Sequence, residues 1–331
     1  MNILMIYNCD LPPVNYGGTE RVIWSLTKGL SQLNHNVYLF SQVYVECPWA
    51  KTIIFDSSKP IDDQIPDYID IVHFHTNGST EKKPYVITKH GNNNIDKNID
   101  PNTIFVSRKH AANHGGEAFV YNGLDWSEYL QPNLNKSNRD ERCHFLGKAA
   151  WRLKNVQGAI NIAKKAKIEL DVLGGYRLNL KMGFRFTFDR HVKFHGMVNN
   201  ATKCKVMDQS KGLIFPVTWE EPFGLAVTES LFMGTPVFAT PYGSLPELIR
   251  DQDLGFISNV EDELVSAVRS KSYNPKYCNE YARDTFDHLS MAKCYIEKYE
   301  SVINGTFLNN FTPKPMSQLR NLSYFKKLPY R

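Results

Sequence analysis

The chain has 331 residues, more than a single hydrophobic core usually serves, so two domains are expected. Its 42% hydrophobic and 22% charged residues are ordinary for a soluble globular protein, and a formal net charge of +5 suits an anionic ligand or a membrane surface without requiring either. No apolar run approaches the ~18–20 residues that span a bilayer, and the six cysteines (Cys9, Cys47, Cys143, Cys204, Cys278, Cys294) form no CxxC pair, which points to reduced thiols, a cytosolic setting and no zinc site.

The opening residues 2–7 (NILMIY) lack the basic start of a signal peptide and read as a first strand. A loop with Pro12, Pro13, Gly17 and Gly18 follows. Residues 19–33 then carry Val22, Ile23, Leu26, Leu30 and Leu33 at helical spacing, and NVYLFS (36–41) reads as the next strand. Such β–loop–α–β units build parallel sheets. Further strands are expected at 69–75, 84–90, 102–107 and 118–123, apolar nearly throughout because both sheet faces are covered. The polar, aperiodic stretch 131–142, which contains Pro132, reads as a linker.

A second α/β series begins at 143–148, with strands at 170–175 and 191–196 and helices at 156–165 and 202–209. It continues through a strand (LIFPV), a loop (TWEEP), a helix (FGLAVTESLFMG) and a strand (PVFAT), together residues 213–240. Helical ELIRD, a short GFIS strand and helices starting at Asp262 and near Pro275 complete it. The expected organisation is a first domain over 1–130, the linker 131–142, a second domain over 143–300 and a tail over 301–331, with no solenoid repeat. The tail has no acid but contains Lys314, Arg320, Lys326, Lys327 and Arg331, interleaved with Phe311, Tyr324, Phe325 and Tyr330. A segment of this composition can touch anionic lipid weakly at the inner face of a membrane, or pack back on the first domain.

The chemistry concentrates in residues 213–240. Pro222 suits the first position of a helix. The backbone N–H groups around Phe223, Gly224 and Leu225 are then unpaired donors, receptive to phosphate or hydroxyl oxygens. Glu229 is the only charged residue between Pro222 and Pro246. A helix so apolar is buried, and its carboxylate must find donors. A ligand diol could supply them, or a Lys or backbone group of the protein itself; spacing leaves the two open.

Glu221 and Glu229 form an E-x7-E pair around Phe223-Gly224-Leu225. The run EPFGLAVTESLFMGTPVFAT resembles the donor-binding signature of family 4 glycosyltransferases, of the glycosyl transferases group 1 type, whose GT-B architecture consists of two Rossmann-like parallel-sheet domains facing across a cleft. The resemblance extends in order over about residues 1–300. It includes Gly17-Gly18-Thr19-Glu20-Arg21, Tyr121-Asn122-Gly123-Leu124-Asp125, Phe145-Leu146-Gly147-Lys148, His195-Gly196-Met197-Val198 and Gly243-Ser244-Leu245-Pro246-Glu247. E-x7-E alone is a weak signal; the ordered set is a strong one.

What the resemblance implies is a retaining transfer from a nucleotide-diphosphate sugar, UDP- or GDP-linked, to a saccharide or lipid-linked acceptor, in glycan or glycolipid biosynthesis. Glu229 would hold the ribose hydroxyls, the backbone of Phe223, Gly224 and Leu225 the sugar and diphosphate, and Glu221 the transferred sugar. Negative charge near the anomeric carbon suits an oxocarbenium-like transition state. The family uses basic side chains, with no metal and no cofactor, to bind the departing diphosphate. Its usual Gly-Arg followed by Lys-Gly becomes Gly147-Lys148, then Arg152, Lys154 and Asn155: Lys replaces Arg, the second basic residue falls six positions on, and Asn replaces Gly. Lys148 and Lys154 are the candidates, with Arg152 as a substitute. Lysine binds phosphate as a point charge without the fork of arginine; the bland alternative is solvated basic residues at a helix start.

Gly17 and Gly18 match a loop that lies near the diphosphate in the family, though a simple turn needs glycine too. The pattern is not GxGxxG, which disfavours a nicotinamide or flavin dinucleotide. His90 resembles a first-domain histidine placed by the acceptor or donor sugar. His73 and His75, at period two, read as packing or cleft lining. Asp251-Gln252-Asp253 spells D-x-D but reads as a surface turn, and His110 with His114 lacks a third ligand for zinc. The alternatives are a nucleotide-sugar epimerase or hydrolase of the same fold and a non-catalytic sugar-nucleotide-binding partner. No nucleic-acid role is expected.

Overall fold

The computed structural model describes residues 1–13, 17–92, 99–135, 139, 141–180, 182, 184–270 and 272–314. In chain order the first unit contains β1 (Asn2–Ile6), α1 (Gly18–Gln32), β2 (Asn36–Ser41), β3 (Ala50–Ile54), α2 (Ile61–Gln64), β4 (Ile71–Phe74), β5 (Tyr85–Lys89), β6 (Thr103–Phe105) and α3 (Arg108–Ala112). The second holds β7 (Arg142–Leu146), α4 (Val156–Ala166), β8 (Glu169–Leu173), β9 (Leu178–Asn179), β10 (Arg185–Phe186), β11 (Val192–Phe194), α5 (Asn200–Gln209) and β12 (Leu213–Phe215). It continues with α6 (Leu225–Phe232), β13 (Val237–Ala239), α7 (Leu245–Leu248), β14 (Gly255–Ile257), α8 (Glu261–Ser270) and α9 (Pro275–Thr285). The last helix, α10 (His288–Ile303), groups with the first unit.

Each unit is built on a six-stranded sheet, in the orders β3-β2-β1-β4-β5-β6 and β11-β8-β7-β12-β13-β14. Every pairing within them is parallel. Parallel strands need both faces covered, and β1, β4, β7 and β12 are accordingly buried almost throughout. Both sheets are doubly wound. In such sheets ligands bind outside the carboxyl ends of the strands, where the order reverses. Those points fall between β1 and β4 in the first unit and between β7 and β12 in the second.

The domain limits differ from those expected. The units divide at Trp126/Ser127, and the described residues from Thr285 onward group with the first unit rather than the second. The reason is packing: Tyr295 and Tyr299 of α10 are fully buried and bond Thr88 (2.9 Å) and His73 (2.7 Å) of the first sheet. The described residues of 131–142 do not behave as a loose linker. Asn133 N–H bonds Asp208 (2.8 Å), Arg139 bonds the carbonyls of Ser210 (3.1 Å) and Met233 (3.0 Å), and Arg142 already belongs to β7.

The strand expected at 118–123 is reduced to one bridge, Phe105 to Phe119, because the Asn309 side chain takes the N–H groups of Glu117 (2.7 Å) and Ala118 (3.0 Å) that would extend it. Elements not anticipated include β3, a partly exposed edge strand, the single turn of α2, and the β9–β10 hairpin. Of the tail, Asn309 docks on Pro101 (N–H to O, 3.1 Å), while Arg320, Tyr324, Phe325, Lys326, Lys327, Tyr330 and Arg331 lie outside the described residues.

Candidate active site

The loops after β7 and β12 flank the switch point of the second sheet. The first carries Lys148, Arg152 and Lys154; the second carries Trp219, Glu221 and Gly224. Lys154 Nζ lies 2.6 Å from Glu221 Oε2, and Trp219 Nε1–H donates to the same oxygen at 2.8 Å. The side chains of Lys154 and Glu221 are 14% and 6% exposed, so both charges are largely withdrawn from water yet reachable from it. The ammonium lies 5.6, 5.2 and 5.3 Å from the ring centres of Trp151, Phe215 and Trp219. Trp151 and Trp219 themselves stand 4.6 Å apart. Rings with negative faces hold a cation in place while leaving its N–H donors unspent.

Asn155 explains how the altered spacing still places Lys154. Its backbone is left-handed (φ +56°, ψ +51°), a conformation that glycine adopts freely and asparagine tolerates best among other residues. Its side chain then adds what glycine lacks. Oδ1 accepts from Gly158 N–H (2.9 Å) to cap α4, and Nδ2 donates to Pro216 O (2.7 Å), which ties the β7 loop to the β12 loop. The substitution of Asn for Gly therefore keeps the turn. Lys148 and Arg152 are exposed and are not drawn to Glu221 as Lys154 is. Ala149, Arg152, Asn155, Asn179 and Arg185 contribute to a recess of about 340 Å³ beside this loop, with two guanidinium-bearing residues on its wall. A larger recess, about 590 Å³, lies at the amino-terminal edge of the same sheet beside Arg142, Glu169 and His191, where doubly wound sheets do not place ligands.

The helix begins later than Pro222 suggests. Gly224 is its N-cap, left-handed at φ +93°, and Leu225 is the first helical residue, so Pro222 lies in the preceding turn. Glycine offers no capping oxygen, so α6 has no side-chain cap. The turn is fixed from outside: Ser244 N–H donates to Glu221 O (2.9 Å), Ser244 Oγ–H to Phe223 O (2.5 Å), and Gly243 N–H to Glu220 Oε2 (2.8 Å). Gly243 (φ +63°) has to be glycine, because a Cβ there would overlap the backbone of Glu221.

Of the two readings open for Glu229, the structure shows a protein partner. Glu229 is wholly buried, and its Oε1 accepts from Tyr129 Oη–H (2.8 Å) and pairs with the ammonium of Lys203, itself 2% exposed. Lys203 in turn lies 4.9 Å from the centre of the Tyr129 ring. Neither partner was visible beforehand: Lys203 lies on a helix with no amphipathic pattern, and Tyr129 in a segment read as the end of the first domain.

In the first unit, His75 and His90 follow β4 and β5 and meet ring to ring, Nδ1 to Nε2 at 3.0 Å. One ring must donate and the other accept, so the pair shares a single proton between these atoms. Burial pushes the His90 imidazole down to about 4 and holds His75 and His73 well below the ordinary range, the neighbouring imidazoles adding to the effect for the latter two. His90 is therefore a neutral group at neutral pH. His73 is a core residue, bonded to Tyr299 and Thr88 (both 2.7 Å). Gly17 is the N-cap of α1, and the space its missing side chain leaves is filled by the carboxylate of Glu20. Gly18 is the first residue of α1.

Several other residues of the ordered motifs have structural partners. Asp125 pairs with Lys28 of α1; His195 Nε2 lies 2.6 Å from Asp171, which also pairs with Arg142 at 2.6 Å. Asp251 closes its own turn by accepting from Asp253 N–H (3.0 Å) and Leu254 N–H (3.2 Å). His114 lies past the end of α3, its Nδ1 2.9 Å from His110 O. Among the described residues no group of three or more His, Cys, Asp or Glu is arranged to hold a metal ion.

This pair of sheets is the GT-B glycosyltransferase architecture, and the comparisons agree. AviGT4, a glycosyltransferase involved in avilamycin A biosynthesis, superimposes with a TM-score of 0.75 over 95% of this chain and 99% of its own, at 18% identity. Residues 140–271, the segment that carries Lys148, Lys154, Glu221 and Glu229, match the family model for Glycosyl transferases group 1. An uncharacterized 41.2 kDa protein in the cps region of Klebsiella pneumoniae is 28% identical over 200 residues, 55% of this chain and 54% of that protein. A phosphatidyl-myo-inositol mannosyltransferase of Mycobacterium leprae is 26% identical over 120 residues, 34% and 32% of the respective lengths. The matched segments thus span about half, and about a third, of these curated relatives.

Proposed function

We propose that the chain is a glycosyltransferase that moves a sugar from a nucleotide-diphosphate sugar to an acceptor hydroxyl with retention of anomeric configuration. The observation that carries this reading is the Lys154–Glu221 pair at the carboxyl edge of the second sheet. An ammonium has three donors, and one of them is on Glu221. The others suit diphosphate oxygens, with Lys148 and Arg152 adding charge from the same loop. Glu221, on the other side of that ammonium, suits positive charge developing at an anomeric carbon. The backbone at Phe223, Gly224 and Leu225 is assigned to the sugar and diphosphate oxygens, the role an uncapped helix start favours. Basic side chains supply the charge that a metal supplies in other transferases.

Glu229 is assigned to the ribose, whose hydroxyls would exchange with the Tyr129 hydroxyl on Oε1 while Lys203 stays paired. On the first unit, neutral His90, positioned by His75, is assigned to an acceptor or donor hydroxyl, and the loop at Gly17 and Gly18 to the donor side. The similarity to a cps-region protein and to a phosphatidyl-myo-inositol mannosyltransferase supports a place in surface-glycan or glycolipid assembly.

Product analysis tests the reaction class. Incubation with UDP-, GDP- and ADP-sugars and a panel of saccharide and lipid-linked acceptors, followed by NMR, should give a glycoside of unchanged anomeric configuration. Free sugar alone, or an epimerised donor, would replace this reading with a hydrolase or an epimerase. Nucleotide binding without turnover would leave a non-catalytic binding partner.

A further inference from the structure

One further atom decides which ring of the His75–His90 pair donates the proton they share. His75 is 8% exposed, and its second nitrogen, Nε2, is buried with no hydrogen-bond partner. Its Nδ1 meets His90 Nε2 at 3.0 Å, with ring centres 5.3 Å apart and ring planes 25° from parallel. The two imidazoles therefore approach edge to edge. The ring of His73, 3.9 Å from that of His75, offers Nε2 nothing, because both of its nitrogens are engaged with Tyr299 and Thr88.

A neutral imidazole carries one N–H and one lone pair. If His90 donated, the proton of His75 would sit on Nε2, as an N–H sealed among groups that do not accept it. If His75 donates from Nδ1, its Nε2 keeps only a lone pair. Buried N–H groups without a partner are rarer than unmet acceptors. A lone pair can still be met by weak C–H donors, which are everywhere in a protein interior, whereas an N–H needs a true acceptor. A proton on both nitrogens of His75 is excluded at neutral pH, since burial and the neighbouring imidazoles keep that ring uncharged.

The consequence falls on His90. Its Nε2 accepts, so its own proton sits on Nδ1. His90 is partly exposed, and Nδ1 has no hydrogen-bond partner among the described residues. His90 follows β5, at the carboxyl end of the first sheet, where doubly wound sheets meet their ligands.

We propose that His75 is a positioning residue that locks His90 as its Nδ1–H tautomer, so that His90 donates a hydrogen bond to a ligand oxygen and takes no proton. This role rests on the assignment of His90 to a ligand hydroxyl and gives that contact its direction. His90 meets a lone pair of the oxygen, and the proton of an acceptor hydroxyl leaves to another group.

The lock is a property of the free protein and is measured without substrate. Long-range 1H–15N correlation spectra of the full chain, labelled at histidine, report which nitrogen of each neutral ring is protonated. His90→Asn and His75→Asn identify the two sets of signals. Both rings should show a protonated Nδ1 and a bare Nε2. A protonated Nε2 on His90, or an exchanging mixture of tautomers, would overturn the proposal whether or not the chain transfers sugar. His75→Asn keeps a donor near Nδ1 and should preserve the His90 tautomer, whereas His75→Leu should release it to a mixture. An unchanged His90 tautomer in His75→Leu would remove His75 from the role. In the transfer reaction, His90→Leu should lower kcat/KM roughly tenfold, the scale of one lost hydrogen bond, and His90→Asn, which restores an N–H near Nδ1, should recover most of that loss. Equal losses in these two variants would contradict donation by His90.

Discussion

Lys154 Nζ stands 2.6 Å from Glu221 Oε2, although one follows β7 and the other follows β12. The left-handed Asn155 turn delivers the first, and the Gly243–Ser244 clamp fixes the second. If this pair handles the donor, Glu221→Gln should lower kcat about 10²–10³-fold, the scale of removing one preorganised electrostatic group, while nucleotide affinity stays near wild type. Lys154→Met should weaken diphosphate binding as well. Steady-state kinetics with a nucleotide titration check both, and an unchanged kcat in Glu221→Gln would remove that residue from the reaction.

The Lys203–Glu229 pair is a stability element whatever else it does. Removing one partner leaves the other buried and charged, so Glu229→Ala should cost about 3–5 kcal/mol. Replacing both, as Lys203→Met/Glu229→Leu, should recover most of that loss. Urea denaturation of the two variants measures it; equal losses in the single and double variants would contradict the pairing.

Ribose recognition at Glu229 has its own signature. Tyr129→Phe removes the hydroxyl that shares Oε1, so nucleotide affinity should hold or rise, whereas Glu229→Gln should lower it. A loss of affinity in Tyr129→Phe would argue against exchange at that oxygen.

At Asn155, Gly should be tolerated and Ala should not. Alanine loses the α4 cap, about 0.5–2 kcal/mol, and pays left-handed strain of roughly 1–2 kcal/mol. Thermal unfolding and activity of Asn155→Gly and Asn155→Ala, compared side by side, decide it.

Protonation of the buried histidines should destabilise the fold on the acid side. The unfolded chain takes up protons near pH 6.5, whereas His90 is held down to about 4 and His144, a wholly buried β7 residue whose ring nitrogens meet the Ser210 and Ser230 hydroxyls, to about 3, in each case chiefly by burial. Between those values the unfolded state binds more protons, so their contribution is complete above about pH 6.5 and is lost as pH falls toward 4, at up to ~1.4 kcal/mol per pH unit for each histidine. The His90 Cε1–H resonance should stay flat from pH 7.5 to 5; a midpoint near 6.5 would show a solvated ring.

The two parallel sheets were legible because buried strands such as 2–7 and 213–217 are unbroken apolar runs, and the E-x7-E stretch because its carboxylates stand out in an apolar context. The partners of those carboxylates were not. Lys203 and Tyr129 reach Glu229 from 26 and 100 residues away, and no local pattern marks a lysine as buried. The affiliation of α10 was hidden for a related reason: periodicity says which face of a helix is buried, not against which sheet. Asn155 reads as a departure from a glycine pattern until its backbone angle shows that the same turn is made. The β9–β10 hairpin was missed because its alternation points apolar residues outward, against the usual rule.

The most direct test is a thermal-shift panel of UDP-, GDP- and ADP-sugars on the wild type and on Lys154→Met. A donor that binds the native state at 100 times its Kd adds about 2.7 kcal/mol, a shift of roughly 5–10 °C for a domain of this size. One nucleotide class should produce that shift in the wild type, and the shift should largely disappear in Lys154→Met. No shift with any nucleotide sugar, or an equal shift in the variant, would contradict a diphosphate site at Lys154.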